Sequence, residues 1–266
     1  MPRSTRRAAC AFGLLAAVAI VLNACGGPAS APALSDPKEI ITAALRATQS
    51  AKTVHIEMKL DGSITADLTG SGGPGAAIAL TGTTGSADVD IVAKNAHASF
   101  SVPAFLGLSG DLIQVGDTSY VKTSLTGAKY QAQTNAGANS VAPPDTTSLI
   151  GSVNDFLSKD GVNPVKGDDV ACGTTQCYTV KIELTPNELT ALGAGGAAPS
   201  GLPVDISTAT LNLTIRVEKD SNRLAGFAVT VALGDQGSLT LDLAMSKWDQ
   251  PVTISAPPAD QVQAAP

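Results

Sequence analysis

The side chains with the most chemical potential are four cysteines, Cys10, Cys25, Cys172 and Cys177, and two histidines, His55 and His97. Zinc sites gather thiolates and imidazoles at short spacings. No Cys/His cluster of that kind exists, and both histidines fall on stretches that read as strands, out of step with a metal site. Asp168 and Asp169 are adjacent, so on a strand they point to opposite faces and read as loop residues rather than an acid/base pair. There is no G-x-S-x-G elbow. The Gly70–Gly75 stretch lacks the Lys-Ser/Thr ending of a phosphate loop and reads as a loop or strand break. The sequence therefore predicts no enzyme, no metal and no cofactor. What remains is the chemistry of thiols.

Cys25 is the most telling of them. Arg3, Arg6 and Arg7 precede an apolar run, Ala8 to Leu22, that is short for a membrane span. Then come Leu22-Asn23-Ala24-Cys25 and two glycines. A plain secretory signal needs no cysteine at its end; this pattern resembles the bacterial lipobox. The resemblance implies a signal peptide over 1–24 and a Cys25 that is thioether-linked to diacylglycerol and becomes the mature N-terminus. Only a sulfur nucleophile suits that alkylation. Two or more acyl chains, at about 0.8 kcal/mol per buried CH₂, anchor a soluble domain stably. The alternative is an ordinary signal, or an uncleaved anchor, with a chance cysteine. The expected place is the outer face of the cell membrane. Loss of the three arginines takes the formal charge from -6 to about -9. Such a chain is a poor nucleic-acid binder, and anchoring falls to the lipid.

Cys10 leaves with the leader, so Cys172 and Cys177 remain in an exported chain. That is a disulfide context. Two strands pinned across the tight turn Gly173–Gln176 fit it. The other reading, a redox pair, lacks the C-x-x-C spacing.

The elements that position these residues follow in order. Residues 25–35 read as the lipidated end and a Gly/Pro/Ala/Ser tether. Asp36-Pro37-Lys38-Glu39 predicts a helix over about 37–50, with Ile40, Ile41, Ala44 and Leu45 on one face. From Thr53 the period becomes two, with Val54, Ile56, Met58 and Leu60 alternating with polar residues. Asp61-Gly62 signals a turn. Short strands follow near 63–69, 77–83, 86–92, 96–102, 111–116 and 119–123. Residues 131–148 read as polar loop. Asp145 opens a second helix, carrying Leu149, Val153, Phe156 and Leu157, which Gly161 stops. Thr185-Pro186-Asn187-Glu188 opens a short third helix, and Gly193 to Pro203 reads as a loop. Three amphipathic strands close the domain, over 208–219, 223–234 and 238–248, and a tail over 257–266 reads as loose.

Apolar residues on one face and polar on the other predict antiparallel strands with helices on the apolar side only. The fold class is α+β: one domain over 36–256, a long curved antiparallel sheet with amphipathic helices on its concave face. Aromatics make up only 3% of the chain; a core short of bulky groups can leave a cavity, and the alternative source of that composition is an alanine-rich bias of the whole genome.

Several stretches together resemble the LppX/LprA/LprF/LprG family of actinobacterial cell-envelope lipoproteins. They are the lipobox, the Asp36-Pro37 helix leading to Ser50–His55, the 145–161 helix, and the ending Ser238–Trp248 with Pro251–Pro258. The resemblance implies a half-barrel sheet like that of the outer-membrane lipoprotein carriers, with a hydrophobic cavity beneath its helices. It further implies binding of multi-acylated lipid or glycolipid, and help in moving it across the envelope, with an envelope transporter as a further partner. On that reading the candidate cavity liners are Ala98, Phe100, Val102, Ile113 and Val115 on strands, roofed by Leu149, Val153 and Phe156. A second reading is a tethered interaction or scaffold protein, or one associated with a sensor, with a filled core and no lipid.

Overall fold

A computed structural model describes residues 33–66, 75–134, 155–191 and 208–263. The chain divides into two units, Met1–Ala33 and Leu34–Pro266; the second is the subject below. The leader, Cys25, most of the tether, the Gly70 and Gly193–Pro203 loops, and Leu149 and Val153 lie outside the described residues.

Helix α1 (Pro37–Gln49) starts where the sequence places it. The Asp36 carboxylate accepts from Lys38 N at 2.7 Å and Glu39 N at 3.0 Å, and Pro37 supplies no N–H that would need a partner. Replacing Asp36 by Ala should cost about 1 kcal/mol, as cap removals do. Asp36→Asn, which keeps the acceptor, should melt close to the parent in a thermal scan. Residues 155–157 are helical, the part of the expected 145–161 helix that lies within the described residues. A further short helix, α2 (Pro186–Ala191), opens on a capping box. Glu188 Oε2 accepts from Thr185 N at 2.7 Å, and the Thr185 hydroxyl accepts from Glu188 N at 3.4 Å.

The strands are β1 (Thr53–Ala66), β2 (Ala76–Ala79), β3 (Thr83–Asp90), β4 (Asn95–Val102), β5 (Leu108–Val115), β6 (Thr118–Thr123) and β7 (Tyr130–Thr134). The second half adds β8 (Val165–Lys166), β9 (Val170–Cys172), β10 (Thr175–Leu184), β11 (Thr210–Glu218), β12 (Leu224–Ala232), β13 (Gly237–Ser246) and β14 (Val262–Gln263). Among the described residues all belong to one open sheet, in the order β14-β7-β6-β5-β4-β3-β1-β13-β12-β11-β10-β8, with β2 on β1 and β9 on β10. Every pairing is antiparallel except β14 on β7. The fold is α+β, a large antiparallel sheet with few helices.

Three elements differ from the sequence expectation. The Asp61-Gly62 turn does not form; β1 runs straight through it. Gly62 has φ +115°, and a Cβ there would lie 2.2 Å from the Ser238 carbonyl oxygen. Only glycine lets the strand pass so close to its neighbour. At this point β1 also changes partner, from β3 up to Leu60 to β2 from Ser63. Part of the polar stretch after residue 130 is strand β7, held by its pairing with β6. The C-terminal segment is tied down, because Val262 and Gln263 add a strand to β7.

The packed core lies where α1 crosses β10, β11 and β12. Ile40, Val180 and Val217 are 0% exposed there. Cys172 and Cys177 form the expected disulfide, joining β9 to β10 across their turn.

An apolar cavity between helix and sheet

Alternation along each strand sends every second side chain to the face that α1 covers. Cross-strand register then aligns these side chains in rows. One row runs Leu112, Ala98, Ala87, Ile56 and Met245 across β5, β4, β3, β1 and β13. The next holds Ala96, Val89 and Val54. Beyond β13, Phe227 and Val229 on β12 and Leu213 and Ile215 on β11 continue the same face.

Between this face and the helix lies a cavity of about 790 Å³. Ile41, Ala44, Leu45 and Thr48 of α1 form its roof, and the rows just named form its floor and walls, with Ile91, Leu224 and Trp248 at one end. Thr48 carries the one hydroxyl in this lining, and it is spent on the Ala44 carbonyl at 2.8 Å. The cavity touches seven neighbouring strands, from β5 to β11. At about 4.8 Å per strand, that is a width of about 29 Å. The reason for the space is side-chain size. Ala87, Ala96 and Ala98 of the floor lie on adjacent strands, and Ala44 is in the roof.

The Trp248 end is built from charged and polar ties. Trp248 Nε1 donates to the Leu224 carbonyl at 3.2 Å. The Arg223 guanidinium sits 5.8 Å from the centre of its ring and pairs with Asp249. Asp249 also accepts from Lys52 N at 2.7 Å. The Lys52 N–H, and then Arg223, hold the Asp249 carboxyl below the usual carboxylate range. A lowered native pKa stabilises the fold above the unfolded value, about 3.9 for Asp, and the stabilisation is lost as pH falls through the native value. Thermal melts followed by Trp248 emission should therefore lose this contribution on acidification below about pH 4. Asp249→Asn should melt lower than the parent at neutral pH and approach it at pH 3.

The opposite face of the sheet is mostly polar. His55 Nδ1 lies 2.7 Å from Asp88 and His97 Nε2 lies 3.1 Å from Asp111. The Tyr130 hydroxyl donates to Asp111 at 2.7 Å and accepts from Lys122 Nζ at 3.3 Å. Burial, then the bond to Asp111, raise the Tyr130 phenol above its ordinary pKa. Both histidines thus pair with acids on neighbouring strands. Among the described residues no group of three or more His, Cys, Asp or Glu stands ready for a metal.

The expected liners divide by strand parity. Ala98 is part of the cavity floor. Phe100 is on the same face two residues further along β4, where its ring covers Gly110 and borders a shallower hollow. Val102 follows at the strand end, paired with Leu108. Ile113 pairs with His97, between two residues that line the cavity, so Ile113 and Val115 face the other way. The inward residues of β5 are Leu112 and Gln114. Gln114 is buried beside Ala96, with its Oε1 accepting no hydrogen bond among the described residues. Phe156 packs on the core cluster with Leu157 and does not reach the cavity lining. The lining from α1 and β11–β13 was not singled out from the sequence. Its signal was there: Leu213, Ile215, Phe227, Val229 and Met245 are the apolar halves of the last three strands.

No protein-family profile and no curated protein sequence matches this chain. Solved structures do. The fold is similar to lipoprotein LppX of Mycobacterium tuberculosis, at 19% identity and a TM-score of 0.46, over 83% of this chain and 100% of that one. It is similar to LprF from Mycobacterium bovis, at 16% identity and a TM-score of 0.48, over 84% and 98% of the two chains. A LolA-superfamily protein from Nitrosomonas europaea is more distant, at 9% identity and a TM-score of 0.27, over 82% and 96%. LppX and LprF are two of the names in the family that the sequence resembles.

Proposed function

We propose that this chain is a lipid carrier of the cell envelope, tethered through an acylated Cys25, that holds acyl chains in the cavity under α1 and passes them on. The observation that carries this reading is the lining, an almost wholly hydrocarbon surface around about 790 Å³. Ligand sites run from about 300 to 1,000 Å³. A methylene takes about the room of a water molecule in the liquid, about 30 Å³, so the described cavity holds about 26 of them. That is one long acyl chain or two of moderate length. At about 25 cal/mol per Å² of apolar area removed from water, one buried chain contributes several kcal/mol without any hydrogen bond. A carrier of this kind needs a dry volume and a way in, and no catalytic group. The lipid headgroup then stays outside, since the lining offers it almost nothing polar.

The test is native mass spectrometry of residues 34–266, expressed in an actinobacterial host. With Cys25 absent, a bound lipid has to sit in the fold. The expected result is a discrete added mass that extraction resolves into an acylated lipid. A bare mass, unchanged after incubation with diacyl lipid, would point instead to the interaction protein with a closed core.

A further inference from the structure

Large apolar side chains are exposed together at one end of the sheet. The β4–β5 turn, residues 103–107, presents Phe105 and Leu106, and the β6–β7 turn, residues 124–129, presents Leu125. Their exposures are 49%, 97% and 72%. The two turns are neighbours, tied by Ser124 N to the Ser109 carbonyl at 2.8 Å and by Ser109 N to the Ser124 hydroxyl at 3.1 Å. Each is also braced internally. Gly107 N donates to the Pro103 carbonyl at 3.2 Å, and the Thr123 and Thr126 hydroxyls lie 3.1 Å apart. The result is a fixed apolar prong rather than a loose loop.

Leu106 is there against local preference. Its φ is +54°, a left-handed conformation that a bulky side chain disfavours and that Asn or Gly adopts readily. Nothing in the fold gains from a leucine at this point, since almost all of its surface faces solvent. Such outliers persist where a site needs them.

We infer that this prong inserts into the interfacial layer of a lipid bilayer, a contact separate from the Cys25 anchor and independent of what the cavity holds. Two observations favour a bilayer over a protein. Three side chains on two turn tips offer far less than the roughly 800 Å² that each partner gives to a standard protein interface. They are, however, suited to dipping individually among acyl chains, with the aromatic Phe105 at headgroup depth. Charge agrees. In a chain with 23 acids and 17 cations, the tips over 102–110 and 123–129 contain no acid and one cation, Lys129. Lys129 is exposed and has no ion-pair partner among the described residues. An anionic surface meets no repulsion there.

The experiment places an environment-sensitive nitrobenzoxadiazole label at Leu106→Cys in the full-length chain, with the parent chain labelled in parallel as background. Vesicles are phosphatidylcholine with phosphatidylglycerol. Insertion predicts a shift of the label to shorter wavelength and a several-fold gain in intensity. The same label at Val165→Cys, an exposed apolar position on β8, should not respond. A second reporter at Leu125→Cys, combined with Leu106→Asn, separates insertion from folding. That variant should melt at or above the parent temperature, because Asn suits the backbone, and yet lose most of the Leu125 response. An unchanged Leu106 label on vesicles that float with the chain would overturn the inference. So would an undiminished Leu125 response in the Leu106→Asn variant, or a Leu106 label that is buried without vesicles as protein concentration rises, which would mean a second copy covers the prong.

Discussion

Replacing Ala98 by Trp should abolish lipid loading while leaving the domain folded. Ala98 and its cross-strand partner Ala87 lie in the middle of the cavity floor, directly between Leu112 and Ile56. The side chain at 98 points into open volume, so an indole placed there meets empty space first and the roof only after filling it. Overpacking a filled core costs about 1–3 kcal/mol; filling a cavity costs less. The expected outcome is a melting temperature near that of the parent and a loss of at least tenfold in bound lipid, equivalent to about 1.4 kcal/mol or more. Ile113→Trp is the informative partner. Ile113 is one residue from Leu112 but on the other face. It should disturb stability, because Ile113 is buried, and leave the loading of the folded fraction unchanged. Co-purified lipid per folded chain, measured for both variants, checks the pair. Equal loading of Ala98→Trp and parent would mean the acyl chains sit elsewhere.

Replacing Ile40 by Ala should give the largest loss of stability. Ile40 is completely buried where α1 crosses the core of Val180, Ile182 and Val217. Ile→Ala at such sites costs about 2–5 kcal/mol, partly through the hole left behind. For a unit of this size each kcal/mol lowers the melting point by about 2–4 °C, so a drop of about 10 °C is expected. Ile41, the next residue, makes a useful contrast. It touches both the core cluster and the cavity. Its loss should enlarge the cavity as well as weaken the seam, so a bound lipid should recover part of the stability of Ile41→Ala. Ile40→Ala should recover less. Calorimetric melts with and without diacyl lipid distinguish the two.

The helix starts at Asp36 and Thr185, the three-strand C-terminal meander and the disulfide were legible in the sequence because each depends on neighbours in the chain. Asp36-Pro37 and Thr185–Glu188 carry their caps within four residues. Leu211 to Val217, Phe227 to Leu233 and Leu239 to Met245 alternate cleanly because one face packs or lines the cavity and the other is wet. Where the reading failed, the deciding interaction lay far away. Gly62 reads as a turn locally; only the approach of Ser238 makes it a strand position. The polar stretch from Tyr130 pairs as a strand because β6 lies on one side and the distant Val262-Gln263 on the other.

The cavity shows the same division. That an apolar sheet face and few bulky residues can leave space follows from composition. Which residues line it depends on parity, and parity on β5 was ambiguous. Leu112-Ile113-Gln114-Val115 offers apolar residues in both phases. Choosing Ile113 and Val115 follows hydropathy; pairing with β4 instead turns Leu112 and Gln114 inward, an unexpected place for an amide. The contribution of α1 to the roof was equally invisible, since an apolar helix stripe looks the same whether it meets side chains or a void.

The most direct measurement uses the single tryptophan of the chain. Trp248 lies at one end of the cavity, so its emission should be quenched on contact by a diacyl lipid brominated along its acyl chains. Acyl chains in the cavity predict saturable quenching at about one lipid per chain, absent with the same lipid unbrominated and abolished by Ala98→Trp when the added indole is subtracted. Full Trp248 emission at lipid concentrations where the lipid co-elutes with the protein would contradict it, because the acyl chains would then be bound outside the cavity.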